Sequence, residues 1–254
     1  PLPDSEPGME AGCASAFIDH YGPLLLRRPL DEAQRQRYIG AAELGARTLG
    51  GFYQGLKFAL VGMMTSPQFL LRIERTEPDP ERPGLERLDA YSVATRLSFF
   101  LTDSSPDREL LRAAQAGELD TPVGLEQQVD RLIAGPSFET AVRSFFSDML
   151  EFDLFDDLAK DSEIYPAFNS EVVADAQEQT LRDIVQQQIE EQGDYRVLFT
   201  LEQTYMSRAL GVIYREPVKS RDDWVRQPLS HRGDRVGIQS HISFLALHSH
   251  PGRS

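Results

Sequence analysis

Between Leu88 and Leu111 apolar and polar positions alternate in the clearest pattern of the chain. Leu88, Tyr91, Val93, Ala94, Leu97, Phe100 and Leu101 recur at steps of three and four, the spacing by which a helix presents one apolar face. The run TDSSPD, Thr102 to Asp107, stops that helix. Ser105 is placed to cap a second one, with Pro106 in its first position and Asp107 at the positive end of its dipole. Arg96 lies among the apolar positions, so it must snorkel or take a carboxylate partner. Phe99 and Phe100 close the first helix, and at least one is expected in the core.

The same period organises the rest. Ala11 to Leu26 predicts a helix that Gly22-Pro23 bends or ends. Asp31 is an N-cap for a helix from Glu32 to Gly50, and the Gly50-Gly51 break precedes a strongly apolar helix from Phe52 to Thr65. Ser66-Pro67 then starts a short helix, Gln68 to Arg75. Residues 76–86, charged and proline-bearing, read as an exposed linker. Further helices are predicted to about Ala116, over Val123–Ala134 and over Ser137–Leu150. After an irregular acidic stretch, Asn169-Ser170 caps the longest, Glu171–Gln192, with Gly193 at its C-terminal cap. Shorter helices follow at Tyr195–Phe199, Tyr205–Tyr214 and Gly237–Ser249, with a brief strand at Trp224–Leu229 inside a polar loop. Strand alternation is scarce, so the expected fold class is all-α: two packed multi-helix subdomains with a C-terminal helical extension. The divisions fall at 1–75, the 76–86 linker, 87–215, and the start of a third, truncated domain at 216–254.

Composition narrows the function classes. The 254 residues are 41% hydrophobic and 26% charged, ordinary for a globular protein. A formal net charge of −14 argues against unspecific nucleic-acid binding, which needs a basic surface to displace counterions. Cys13 is the single cysteine, and neither CxxC nor CxxCH occurs, so the chain carries no thioether haem attachment and no cysteine-rich zinc site. No run approaches the length of a transmembrane helix. The opening PLPDSEPG is turn-rich rather than signal-like, and suits the middle of a longer protein or a processed end.

Candidate chemistry is sparse. Five histidines are present: His20, His231, His241, His248 and His250. His241 and His248 are seven apart and would share one face of the last helix, with His250 adding a third nitrogen where it unwinds. Such a set offers ligands for zinc, copper or haem iron, although a seven-residue rise separates the first two by roughly 10 Å. The acidic stretch Glu151 to Glu163 lacks the DxDxDG calcium loop, and a solvated acidic face accounts for it. GxSxG, SxxK, HExxH, GxGxxG and P-loop patterns are all absent. The pairs Phe99-Phe100, Phe145-Phe146 and Phe152-Phe155 read as core. Arg27-Arg28 reads as an anion site or, more ordinarily, as a pair bonded to carbonyls and carboxylates.

Three blocks resemble a family of large exported proteins, common in planctomycetes and myxobacteria, built from adjoining uncharacterised helical domains and often coupled to a c-type cytochrome module. The first runs from Cys13-Ala-Ser-Ala-Phe17 through Arg27-Arg28-Pro29-Leu30 to the segment SPQFLLRIE with Arg72. The second is RLSFFLTDSSPDRELL, containing Arg96 and Asp107, and continues to TYMSR with Arg208. The third, from His231 through Arg235 to Pro251, is similar to the start of the following domain. The charged positions Arg27, Arg28, Arg72, Arg96, Asp107, Arg208 and Arg235 belong to these motifs. The resemblance implies an exported, mostly helical protein of which this chain is a piece, with any c-type haem in a partner or a missing module. It implies other protein chains, or the remainder of the polypeptide, as partners, and a periplasmic, secreted or outer-surface location. Two readings remain: a non-catalytic scaffold or interaction module, and an oxidative or hydrolytic enzyme on polymeric substrates. The enzyme reading requires Arg96, Arg235 and the last histidines to meet in one cleft.

Overall fold

The computed structural model describes residues 11–158, 160–219, 223–230 and 234–249. These are mostly helical: α1 (Ala11–Leu26), α2 (Glu32–Leu49), α3 (Phe52–Met64), α4 (Pro67–Leu70), α5 (Ala90–Thr102), α6 (Arg108–Gln115), α7 (Pro122–Ile133), α8 (Pro136–Met149), α9 (Ser170–Val185), α10 (Arg208–Tyr214) and α11 (Ile242–Leu247). The all-α expectation needs one amendment. Two short antiparallel strand pairs are also present, β1 (Thr76–Pro78) with β2 (Glu86–Leu88) and β3 (Gln203–Met206) with β4 (Val225–Pro228). Contacts divide the chain into two compact units, 1–138 and 139–254, so the division falls inside α8.

In the first unit, α2 begins with a reciprocal capping box between Asp31 and Gln34, which satisfies two otherwise orphaned donors. Gly50 and Gly51, with φ of 76° and 116°, turn the chain directly into α3. Small residues then let the two helices close up. A Cβ on Gly55 would stand 2.3 Å from the Ala42 carbonyl oxygen, and one on Gly45 would stand 2.6 Å from Phe58 Cβ. Ala14, Ala42 and Ala59 are fully buried together in this contact. Proline does not end α1: Leu25 and Leu26, beyond Pro23, pack against Ile18, Tyr38 and Met63, and that burial offsets the lost backbone bond.

Residues 76–88 pair as a hairpin, Thr76 opposite Leu88. Buried Asp79 closes its loop by accepting bonds from the amides of Glu81 and Arg82. The next helices form the core expected around the central stretch, with Ala94, Leu101, Leu110, Ala113, Ala114, Leu119 and Leu132 buried together. Two local expectations are corrected. Asp107, not Ser105, caps α6 by accepting from the Leu110 amide at 2.8 Å, and the helix starts at Arg108. Phe100 is 84% exposed, whereas Phe99 is half-buried.

The second unit is built on α9. Val172, Ala176, Met206, Leu210, Tyr214 and Leu229 make one cluster and Phe146, Ile184, Leu198, Leu201 and Ile238 another. Asn169 caps α9 as anticipated, but its last turn, Gln186–Glu190, widens into a π-helix. The segment Tyr205–Tyr214 starts in the end of β3 and is helical only from Arg208, with Ser207 the N-cap between them. The predicted final helix is also split. A 3-10 turn at Ile238–Ser240 precedes His241, whose extended backbone (φ −69°, ψ 149°) starts the much shorter α11. Gly237 makes this turn with φ of 67° and no room for a side chain, its Cβ position lying 2.3 Å from the Phe199 carbonyl oxygen.

Candidate functional site

One stripe of α9 is polar although it faces the interior. Asp175, Gln179 and Asp183 stand four residues apart, so they line up along the helix. Ser207 donates to Asp175 at 2.5 Å. Gln179 donates through Nε2 to the Tyr205 carbonyl at 2.9 Å and accepts from the Tyr214 hydroxyl at 2.8 Å. Asp183 accepts from the Thr204 hydroxyl at 2.5 Å and the Tyr205 amide at 3.0 Å. The Tyr214 hydroxyl in turn accepts from the Ile242 amide at 2.8 Å, satisfying a donor at the start of α11.

At the centre of this network a hydroxyl, an imidazole and a carboxylate meet. His241 Nδ1 is 2.9 Å from Thr180 Oγ1, which is 2.7 Å from Ser243 Oγ. On the other side of the ring, His241 Nε2 has no hydrogen-bond partner among the described residues and stands 3.5 Å from Asp183 Oδ2. Burial pushes the Asp183 carboxyl up to about 7, against the pull of its bonds from Thr204 and Tyr205 and of Arg226. The same burial takes His241 down to about 3. Both shifts favour a neutral pair, with the proton on the carboxyl and the ring uncharged. Thr180, His241 and Ser243 are no more than 1% exposed and Asp183 is 3% exposed. The order of groups resembles a nucleophile–base–carboxylate relay, but nothing solvent-borne reaches it.

The other anticipated residues are dispersed. His248, at the end of α11, is exposed with its ring centroid 4.5 Å from that of Phe244. His250 lies outside the described residues, as do His231, Arg232 and Gly233. Among the described residues no group of three or more histidine, cysteine, aspartate or glutamate side chains is arranged to hold a metal ion. Arg27, buried with φ of 59°, donates to the carbonyls of Gln68, Phe69 and Leu71 and so caps the C-terminal end of α4. Arg28 bonds Asp89 at 3.0 Å. Arg72 lies over the Phe99 ring at 5.2 Å. Arg96 finds its carboxylate in Glu74 and is itself exposed. Asp107 pairs with Arg131 at 2.7 Å besides capping α6. Arg208 is exposed in the first turn of α10.

Arg235 has different surroundings. It lies over the Tyr214 ring at 5.3 Å, and its buried Nη1 has no hydrogen-bond partner among the described residues. It borders a cleft of about 460 Å³ in the second unit, whose lining includes Lys160 and Arg215 but neither His241 nor His248. Sequence reasoning missed Lys160, Arg215 and the whole α9 network. The only signal for the network was polar residues at helical spacing beside the apolar stripe.

A family model described as PSD4, protein of unknown function (DUF1592), matches residues 88–215, just over half of the chain. The chain belongs to this family. A second model, PSD5, protein of unknown function (DUF1595), matches residues 13–74. No curated protein and no solved structure matches the chain. The DUF1592 segment starts at the last residue of β2, ends at the residue that caps α10, and contains Thr180 and Asp183 but not His241 or Ser243. The hydroxyl–imidazole–carboxylate cluster is thus completed by residues beyond that segment.

Proposed function

We propose that the chain is a non-catalytic helical scaffold or interaction module of an extracytoplasmic protein assembly. The observation that carries this reading is the outer face of α3. Tyr53, Val61 and Met64 are 42–57% exposed there, with Lys57 the one charged residue of the helix. Exposed apolar side chains grouped on one face mark interaction surfaces more often than accidents of composition. The enzyme alternative is less well supported. The one relay-like cluster is sealed, Arg235 borders a cleft that the described histidines do not enter, and Arg96 is engaged by Glu74.

On the same reading, residues 1–75, 87–215 and 216–254 are successive domains about the 76–86 segment. The exported location and a c-type haem in a partner are carried by the resemblance to planctomycete and myxobacterial proteins. Among the described residues no helix is long and apolar enough to cross a membrane.

Crosslinking through Lys57 in native-source extract, followed by mass spectrometry and reconstitution from the purified pair, tests the proposal. A defined partner peptide that disappears in Val61→Glu is expected. Identical crosslinks from Val61→Glu, or none from the parent chain, would overturn it.

A further inference from the structure

The cleft bordered by Arg235 departs from the chemistry of the chain around it. Its walls come from the segment after Lys160, from α10 and from α11, and they are apolar: Phe168, Ile213, Ile242 and Leu245 all contribute. Its charged lining is nevertheless wholly cationic. Lys160, Arg215 and Arg235 border it, and among the described residues no carboxylate does, although the chain carries 40 acidic residues against 26 basic ones. Three cations around one apolar hollow, in a chain of net charge −14, are not what an acidic surface supplies by default.

Two of these cations have bonding capacity in hand. Lys160 Nζ donates to the Ser249 carbonyl and hydroxyl, each at 2.9 Å, which occupies two of its three protons. Burial holds its ammonium below the usual lysine range, and among the described residues no ion pair compensates. Arg235 also lines the cleft, and among the described residues no ion pair neutralises it. Its position over the Tyr214 ring limits its motion, so a counter-ion must come to the arginine. Small-molecule sites combine these features: a mostly apolar hollow of several hundred Å³ with a few polar groups that set orientation.

We propose that this cleft binds a small amphipathic anion, an apolar hydrocarbon body bearing one carboxylate, with the carboxylate held by Arg235 and Lys160 and the body against Ile213, Ile242 and Leu245. A guanidinium matches a carboxylate in two parallel bonds, and its planar fork suits a site that must also exclude water. A purely apolar ligand would leave the three cations of the lining without a counter-ion, and a cationic one would meet three like charges.

The test is calorimetric titration of the full 254-residue chain with monomeric decanoate, beside methyl decanoate and decyltrimethylammonium as neutral and cationic counterparts. Decanoate should bind one to one and at least about tenfold more tightly than the ester, the discrimination that charge-assisted bonds supply, and the cation should not bind. Arg235→Met should weaken decanoate about tenfold and leave the ester unchanged. Leu245→Trp, at a position 43% exposed and so tolerant of substitution, should abolish binding of both while leaving the far-ultraviolet circular dichroism intact. Equal affinity for decanoate and its ester, no binding by the parent chain, or unchanged decanoate binding in a folded Leu245→Trp would each overturn the proposal.

Discussion

Up to Phe138, buried polar side chains mostly answer to backbone or to residues a turn away; from Glu139 onward they answer to one another across long stretches of chain. Arg27 caps α4 through three carbonyls, Asp79 closes its own hairpin loop, and Ser92 accepts from the Arg75 amide. In the second unit, Thr180 reaches His241 and Ser243, Gln179 reaches Tyr214, and Asp183 reaches Thr204. The first arrangement ties polar side chains to backbone groups and leaves the apolar core alone. The second places titratable groups inside the core, where low dielectric makes each bond stronger and each lost partner more costly. The two units should therefore fail differently under mutation and under pH.

The largest expected effect is at Asp183. Asp183→Ala leaves the buried Thr204 hydroxyl and Tyr205 amide short of an acceptor and opens a cavity beside them, and should cost about 3–5 kcal/mol in chemical denaturation. The pH dependence sharpens the comparison. Between about pH 4 and 6.5 the native pair holds one proton on Asp183, while the unfolded chain holds one on the histidine. Uptake is balanced, so the pair adds no slope to the stability. In His241→Leu only the raised Asp183 remains. Its native form then binds a proton that the unfolded form lacks, and stability should fall as pH rises from about 4 to 7. In Asp183→Asn the depressed His241 remains, and stability should fall as pH drops below about 6.5. Thermal unfolding across that range measures both slopes; identical profiles for the two variants would show that burial does not shift the two groups in opposite directions.

That contrast also explains what could be read from the sequence. Helix α1 was legible to the residue, and the starts of α2, α4 and α9 followed from Asp31, Ser66 and Asn169 because a cap is written within four residues. The α5–α7 core was legible because its apolar positions keep the helical period. The errors have physical causes. Pro23 was overruled by the burial of Leu26, the single final helix was broken where His241 turns inward, and the 76–86 segment gained strand pairing that its prolines disguise. The candidate site was hardly legible at all, since Thr180 and Ser243 are 63 positions apart and no local period connects them. Asp183 looked like any polar position on a helix whose neighbours Ile184 and Val185 fill the core.

Next in size is Arg27. Arg27→Met removes the donors that satisfy the carbonyls of Gln68, Phe69 and Leu71 and should cost about 2–4 kcal/mol. No dependence on pH is expected between 5 and 8 (roughly the range in which only histidine titrates unperturbed), which sets it apart from the Asp183 variants. Gly55→Ala should cost about 1–3 kcal/mol, although alanine is the better helix former by about 1 kcal/mol. The new methyl would meet the Ala42 carbonyl oxygen, a backbone atom that cannot swing aside. A neutral or stabilising Gly55→Ala would mean that α2 and α3 are less closely packed than described.

The smallest effect separates the two roles of Asp107. Its carboxylate both caps α6 and pairs with Arg131, and the pair lies near the surface, with 28% of the arginine side chain and 49% of the aspartate exposed. Exposed pairs contribute little, because solvent screens the attraction and two long side chains lose freedom. An N-cap is worth about 1 kcal/mol. Asp107→Asn keeps the oxygen that accepts from Leu110 while discarding the charge, so it should change stability by less than about 0.5 kcal/mol. Asp107→Ala removes both and should cost about 1 kcal/mol. If Asn proves as costly as Ala, the ion pair outweighs the cap, and the first unit depends on charge more than its local, backbone-directed bonding implies.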